Sequence, residues 1–557
     1  MEAIRFLLNA TTDKKDEGKK HRKAVWAKRV DVLLTLLLAS ASVAHAAASK
    51  CEALANLKLE NTSITAAQQV SAGTFTPTGS VPLHDLPAFC RVAGVLKPTS
   101  DSNIQFEVWM PISGWKGDFF GVANGAYAGA LNWGGMATTL SSGYATASTD
   151  TGHQGGVMDA SWAVGHPEKY IDWGYRALHL TTVTAKTVIH AFYGYGPRHS
   201  YYSGCSGGGR LALMEAQRYP ADYDGIIAGA AGNPTHVIPF VTWMGQLLYE
   251  NPAGYISTVK LPAIQAGALA ACDGNDGVKD GVIENPLQCK FDPSVLLCKG
   301  PETDSCLTAP QVEHLKQIYA GPKKANGEQF IPGFSPGGEA EASPAWAGGP
   351  RTGENGLTHV GSVFFSQMVY DDPSWDPKSF NLERDAKAAN DKLGHIIDAA
   401  DTDLTAFQAR GGKLILYHGW SDGILPPRVS IDYYESVIKT MGREKAGSFL
   451  RLFMVPGMAH CFNGSGPDSL GQECSCFGTN LYGGVGRGDP DNNIQAALER
   501  WVKEGIAPKR IIVRKYKDIK DPLSAIVRTR PVCAYPEFAH YKGTGSTDDA
   551  ASFVCAR

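Results

Sequence analysis

The chain has 557 residues, 43% hydrophobic and 19% charged, which describes a globular protein with ample core, built as one large domain with an insertion or as two to three domains. Its 52 basic and 55 acidic residues nearly cancel, so nothing in the charge points to nucleic acid. The 62 glycines and the 10% aromatic content suit a loop-rich body with an aromatic-accepting pocket.

Residues 1–46 read as a signal peptide. Residues 14–29 are basic, Val32 to Val43 form an apolar stretch, and Ala44-His45-Ala46 is an A-x-A cleavage site. The stretch is too short to span a bilayer as a permanent helix, although a retained anchor is the rival reading. We expect export, a mature terminus near Ala47, a secreted or periplasmic location and no membrane contact after cleavage. Loss of the segment removes nine basic and five acidic residues and takes the net charge from −3 to −7.

All 12 cysteines survive that cleavage, an even number for an oxidising compartment. No C-x-x-C pair occurs, so disulfides are expected rather than a structural zinc site. Spacing alone does not fix the pairing. Local clusters suggest Cys272–Cys289, Cys298–Cys306 and Cys533–Cys555.

Residues 47–232 alternate strands and helices, as in a mostly parallel sheet with helices on both faces. Phe106 to Met110 and Phe119 to Val122 are strand-like, and the second runs into the small-residue loop Asn124 to Gly129. Ala177 to Phe192 reads as a helix ended at Tyr193-Gly194. Ser200 to Ser203 reads as a strand, Arg210 to Tyr219 as a helix stopped by Pro220, and Gly225 to Ala228 as a strand. Between the last strand pair and its helix stands Gly204-Cys205-Ser206-Gly207-Gly208, a G-x-S-x-G nucleophile elbow. Glycines suit a turn in which helix and strand close up, and the Gly207 N–H would face an oxyanion.

Residues 233–400 are rich in Gly, Pro and Asp, with poorer periodicity. We read them as a lid inserted over the carboxyl ends of the strands, against the plainer reading of an ordinary second domain. Residues 401–557 resume the sheet: Lys413 to Tyr417 and Phe449 to Val455 are strands, followed by His418-Gly419-Trp420-Ser421-Asp422 and Met458-Ala459-His460-Cys461. Helices are expected from Pro427 to Met441, stopped by Gly442, and from Asn493 to Glu504, capped by Gly505, with a late strand from Arg510 to Val513.

A serine hydroxyl needs an imidazole to take its proton, and the imidazole needs an acid to fix its tautomer. Ser206, Asp422 and His460 each follow a predicted strand, in the order of α/β-hydrolases. His153 and His418 are rivals for the base, but the first precedes the serine and the second lies very near the acid. Cys205 precedes the serine and Cys461 follows the histidine, so a Cys205–Cys461 bridge becomes plausible once Ser206 and His460 meet. The second oxyanion donor is expected in the loop at Gly125-Ala126.

These pieces resemble the tannase and feruloyl esterase family, which includes mono(hydroxyethyl) terephthalate hydrolases. The resemblance rests on Gly204 to Arg210, Ser421-Asp422-Gly423 and His460-Cys461. Ser148-Thr149-Asp150-Thr151-Gly152-His153 and Arg530-Pro531-Val532-Cys533 extend it. It covers nearly all of the mature chain. It implies an α/β-hydrolase fold with a large inserted lid domain, the triad Ser206, Asp422 and His460, the Cys205–Cys461 bridge and the local disulfides, plus Cys51–Cys90. Gly207 departs from the pattern, since relatives often carry a larger residue there. Cys474 and Cys476 match nothing.

Within the lid, Cys272 to Ile283 holds Asp273, Asp276 and Asp280, each beside or near a glycine. Spacing alone is as consistent with successive Asp-Gly turns as with oxygens around a hard cation. The resemblance implies a structural calcium ion (Ca2+), held by Asp273, Asp276 and Asp280 through side chains and by Val278 and Val282 through carbonyls. Trp346, Trp375, Phe364 and Phe365 are candidates to sandwich an aromatic acyl group, Leu425 to line the pocket and Arg351 to bind a substrate carboxylate, each against a plainer role in core or surface. The expected activity is that of a secreted serine esterase acting on a small aromatic ester of feruloyl or galloyl type through an acyl-enzyme. The alternatives are a terephthalate monoester hydrolase, an acyltransferase with the same triad and a non-catalytic binding protein on the same fold.

Overall fold

Strands covered on both faces need uninterrupted apolar runs. Asp118–Val122, Ala145–Thr149 and Gly225–Gly229 are such runs, buried at every residue. The computed structural model describes residues 50–122, 124–127, 129–341, 357–472, 488–518 and 524–557. The expected signal peptide, Trp346, Arg351, Cys474 and Cys476 lie outside these described residues.

Nine strands make one sheet: β1 (Thr62–Val70), β2 (Phe89–Leu96), β3 (Ile104–Pro111), β4 (Asp118–Val122), β5 (Ala145–Thr149), β6 (His199–Cys205), β7 (Gly225–Gly229), β8 (Lys413–Gly419) and β9 (Leu450–Val455). Their spatial order is β1-β2-β3-β5-β4-β6-β7-β8-β9. From β5 to β9 all neighbours are parallel. The β1–β2, β2–β3 and β3–β5 pairs are antiparallel. Strand–helix alternation was expected from Cys51 onward. Instead the sheet opens as an antiparallel meander, because the short link between β2 and β3 has no room for the crossover helix that parallel strands require.

Helices cover both faces. We number them α1 (Trp133–Ser141), α2 (Ala177–Tyr193), α3 (Gly207–Arg218), α4 (Pro234–Glu250), α5 (Leu261–Cys272), α6 (Ala309–Ala320), α7 (Arg428–Met441) and α8 (Ile494–Glu504). On one face α2, α3 and α7 bury Val188, Leu211 and Val437 against the sheet; on the other α1 and α8 bury Met136, Leu140, Leu498 and Trp501. Gly194, Gly442 and Gly505 end α2, α7 and α8 with positive φ, as their sequence positions predict. The α3 helix starts three residues before the expected Arg210. Glycine weakens a helix in isolation, yet here the close packing demands it: a Cβ on Gly209 would sit 2.1 Å from the Gly229 carbonyl oxygen of β7.

The described residues between β7 and β8 add no strand to the sheet and instead form a helical insertion that includes α4, α5 and α6. Its core, with Phe240, Leu315, Phe364, Phe365 and Leu393, is continuous with Tyr127, Trp162 and Trp173 of the body. Where it leaves and rejoins the body, the two chain segments are clasped. Asn233 Oδ1 accepts the Ala399 N–H at 2.9 Å, and Asp398 Oδ1 accepts the Thr235 N–H at 3.2 Å.

Among the described residues, five disulfides join Cys51–Cys90, Cys205–Cys461, Cys272–Cys289, Cys298–Cys306 and Cys533–Cys555. The second spans 256 residues and brings its Cα atoms to 5.9 Å. Among the described residues no helix is long and apolar enough to cross a membrane.

Two outcomes are expected from these contacts. Gly209→Ala should lower stability by about 1–3 kcal/mol through overpacking against β7, read as a lower denaturant midpoint. An unchanged midpoint would contradict the packing described. Replacing Cys205 and Cys461 together by alanine should cost about 2–4 kcal/mol and lower ester turnover more than equal replacement of Cys298 and Cys306, which close a surface loop.

Candidate active site

The elbow sets the position of Ser206. Ser206 has φ 61° and ψ −123°, a strained backbone for a residue with a side chain. It is held on both sides: its N–H donates to Gly229 O at 2.9 Å, and its carbonyl accepts the Arg210 N–H at 3.0 Å. Ser206 therefore stands at the N-terminus of α3, where the helix dipole favours negative charge.

Asp422 and His460 come from the loops after β8 and β9. The loop after β9 folds back over β8. Ser421 N–H donates to Met458 O at 2.9 Å, and a Cβ on Gly419 would lie 2.2 Å from the same oxygen. His460 Nδ1 donates to Asp422 Oδ2 at 2.6 Å. His418 Nε2 donates to the same oxygen at 3.0 Å, while its Nδ1 meets Ser430 Oγ at 2.7 Å. Asp422 Oδ1 accepts the N–H groups of Ile424 and Leu425 at 2.8 and 2.9 Å. Burial alone would raise the Asp422 pKa, but the charge of His460 and the hydrogen bonds from both histidines hold it well below the usual carboxylate range. With Nδ1 committed to the acid, Nε2 of His460 is the nitrogen available to take a proton. Ser206 and His460 line one cavity, and the disulfide between their neighbours fixes that approach.

The Gly125-Ala126 loop lies against the start of α3. A Cβ on Gly207 would stand 2.9 Å from the Ala126 nitrogen. The missing side chain at residue 207 is thus what lets the loop close down on the elbow. Ala126 itself has φ 47°. Its carbonyl accepts the Trp173 Nε1–H at 3.3 Å.

Among the described residues the remaining wall is mostly apolar, with Val157, Met158, Val237, Ile238, Val241 and Leu425, and Tyr127 adds a buried hydroxyl that has no hydrogen-bond partner. Arg210 also reaches it; both its terminal nitrogens are engaged, while Nε has no partner. Nη1 donates to the carbonyls of Gly174 and Ile397, Nη2 to that of Trp173. Of the residues expected to form the acyl pocket, Leu425 is there. Phe364 and Phe365 are not; they are fully buried in the core of the insertion, with Trp375 packed on Phe365 at 5.2 Å. Val157, Met158 and Trp173 escaped the sequence reading, since only the folded loops bring them to Ser206. Nor did that reading find the second imidazole on Asp422, although His418 and Asp422 are four residues apart across a strand end.

His153 is remote from the base position. Its Nε2 is spent on Tyr127 O at 2.7 Å, and burial pulls its pKa down to about 4. A further acid cluster gathers His179, Glu215 and Asp222 within 4.8 Å. Glu215 is nine residues along α3 from Ser206, about 13 Å. His179 Nδ1 donates to Asp222 at 2.6 Å, and burial with the charge of Asp222 pushes Glu215 well above its ordinary range.

In the acidic loop, Asp273 accepts the N–H groups of Asp280 and Gly281 at 3.2 and 3.0 Å, and Asp276 accepts that of Val278 at 3.2 Å. Arg530 donates to Asp280. Asp276 is pushed up to about 6 by burial first and then by the charge of Asp280; Glu284, buried nearby, is pushed up to about 8. Four acids stand here with Arg530 and the more distant Arg528, which reaches Asp280 at 4.0 Å. Oxygen donors of this kind suit a hard dication, although in this structure no three of the loop carboxylates gather within 4.8 Å of one another, and they are instead engaged by backbone N–H groups and Arg530. Val282 of this loop also packs towards the loop that carries His460, since a Cβ on Gly457 would meet it at 3.2 Å.

Comparison with known proteins agrees with this architecture. The family model described as tannase and feruloyl esterase matches residues 90–556. An uncharacterised esterase of Xanthomonas campestris pv. campestris is 42% identical over 94% of both chains. A probable feruloyl esterase B-2 of Aspergillus terreus is 32% identical over 94% of this chain and 98% of its own. The crystal structure of feruloyl esterase B from Aspergillus oryzae superposes with a TM-score of 0.82 at 30% identity, covering 92% of this chain and all of that one. Tannin acyl hydrolase from Aspergillus niger shares the fold, with a TM-score of 0.71 at 20% identity over 91% and 94%. The chain belongs to the tannase and feruloyl esterase family and is a carboxylic ester hydrolase.

Proposed function

We propose that this protein is an exported serine esterase that hydrolyses aromatic carboxylic esters, feruloyl rather than galloyl in type, through an acyl-enzyme. The observation that carries the reading is the Asp422–His460 hydrogen bond of 2.6 Å, with His460 beside Ser206 in one cavity. Ser206 Oγ attacks the ester carbonyl while His460 Nε2 takes its proton. The Gly207 N–H and the amide of the Gly125-Ala126 peptide hold the oxyanion. Collapse breaks the ester C–O bond, and the alcohol leaves with the proton from His460. Water, deprotonated by the same nitrogen, then attacks the acyl-enzyme and frees the acid. Asp422 stays ionised and orients the imidazole.

The mostly apolar cavity wall supports the choice of acyl group. A galloyl ring brings three hydroxyls and a feruloyl ring one, and each buried hydroxyl left without a partner costs about 1–3 kcal/mol. A terephthalate monoester would need a cation for its free carboxylate, and Arg210, the basic residue among the described cavity walls, already donates to three carbonyls. A complete nucleophile–base–acid set argues against a pure binding protein. The five disulfides support an oxidising compartment, secreted or periplasmic.

A structural calcium ion belongs to the same reading, held by Asp273, Asp276 and Asp280 with the carbonyls of Val278 and Val282. It would neutralise the acid surplus of that loop and stiffen the ground on which the His460 loop rests.

Ser206→Ala should lower turnover of methyl ferulate by at least about 10⁴-fold and abolish labelling by a fluorophosphonate; retained turnover would refute the mechanism. On the parent protein, kcat/KM for methyl ferulate should exceed that for methyl gallate by about 100-fold, two extra unpaired hydroxyls being decisive. Equal rates would reverse the substrate choice. Purified protein should carry about one calcium per chain by elemental analysis, and a chelator should lower its melting temperature. The pH dependence has a definite sign. Metal-free folded protein holds the Asp276 proton up to about pH 6, whereas the unfolded chain loses it near 3.8, so its stability should fall as pH rises through that window. Calcium should remove the fall. Melting curves from pH 4 to 7, with and without chelator, decide this.

A further inference from the structure

The loop that approaches Gly207 is a strained object that something must hold. Ala126 sits at φ 47°, a left-handed conformation that is strained for a residue with a side chain. Its amide can aim at an oxyanion only while the peptide planes on either side stay fixed. Two buried rings grip the carbonyls that follow it. Trp173 Nε1–H donates to Ala126 O at 3.3 Å, and His153 Nε2 lies 2.7 Å from Tyr127 O. A carbonyl oxygen only accepts, so Nε2 must carry the hydrogen, which fixes the tautomer. The His153 ring is 3% exposed and stacked on Trp162 at 3.9 Å with 17° between planes, so it has nowhere to swing. The loop follows it closely: Gly129 N–H donates to Gly155 O at 3.0 Å, and a Cβ on Gly129 would strike His153 Cδ2 at 2.4 Å.

We infer that His153 is a positioning residue for the oxyanion hole: its Nε2–H fixes the Tyr127 carbonyl and thereby the direction of the Ala126 amide. This rests on the esterase reading given above. His153 is not among the described residues that line the cavity with Ser206. Its loss therefore weakens the transition state and leaves ground-state binding as it was.

The test compares two side chains of similar length, His153→Met without a donor and His153→Gln with an amide that reaches the same carbonyl. Four quantities are read with methyl ferulate: kcat, KM, the inhibition constant of an aryl trifluoromethyl ketone that forms a tetrahedral adduct, and that of ferulate, the product. Removing one oxyanion donor outright costs about 10²–10³ in kcat, and a donor merely loosened should cost about 10–100-fold. His153→Met should therefore lose about 10–100-fold in kcat with KM and the ferulate constant within about twofold. The ketone should weaken in step with kcat, and His153→Gln should recover most of the loss. A purely structural role would leave the ketone-to-ferulate ratio unmoved. That result, equal Met and Gln variants, or a rise in KM at constant kcat would each overturn the inference. Should the Met variant not fold, His153→Asn, whose amide stops short of Tyr127 O, takes its place with the same expectations. The parent enzyme is read first. If it hydrolyses methyl ferulate and Ser206→Ala does not, the esterase reading stands and the variants judge His153 alone. If the parent splits no aromatic ester, the oxyanion hole falls and the role of His153 falls with it.

Discussion

Strands β6 and β9 are three places apart in the sheet, about 14 Å at the usual spacing, yet Cys205 at the end of β6 and Cys461 in the loop after β9 meet at a Cα separation of 5.9 Å. The site depends on closing that gap. The chain after β9 cannot continue outward; it must turn back over the ends of β8 and β7 to reach the elbow. Three features hold it there: the Cys205–Cys461 bond, the Ser421–Met458 hydrogen bond, and the bare Cα of Gly419, over which Met458 O passes. A covalent tie suits this place. The loop has little regular structure of its own, and entropy would otherwise favour its departure.

Once the gap is closed, the electrostatics follow. Asp422 is a buried anion, tolerable only when paired and hydrogen-bonded. Two imidazole N–H groups and two amides supply four donors to its two oxygens. This full set keeps the carboxylate ionised in spite of its burial and leaves His460 a single orientation. Neither Ile424 nor Leu425 donates through its side chain, so the two amide bonds would survive most changes of sequence there. Their apolar side chains remain free to shape the cavity.

Much of this was readable before folding was considered, and the pattern of success has a physical basis. Helix ends at Gly194, Gly442 and Gly505 and the elbow at Ser206 are local events, fixed by backbone conformations that few residues adopt. The meeting of Asp422 with His460, and the cavity His460 shares with Ser206, were legible because strand ends leave their mark in sequence order, and the bridge because its cysteines adjoin Ser206 and His460. Other features depend on distant contacts. The antiparallel opening of the sheet is decided by how short one connection is, not by the strands themselves. Phe364, Phe365 and Trp375 have the composition of an aromatic pocket, yet they serve the insertion's core; Trp173 and Met158 carry no local signal and stand in the cavity. His153 read as a rival base because an isolated sequence hides which nitrogen is already engaged.

The clasp between Asn233 and Ala399 and between Thr235 and Asp398 gives the insertion a narrow neck. A segment whose two ends are adjacent can be exchanged for another of different length without moving β7 or β8, much as a circular permutation tolerates closely spaced termini. The body that carries Ser206, Asp422 and His460 and the insertion that supplies helix α4 to the cavity are therefore joined covalently at one clasped neck, although they share a continuous core. New ester preferences can arise by replacing one continuous stretch of gene, while the reacting groups keep their geometry.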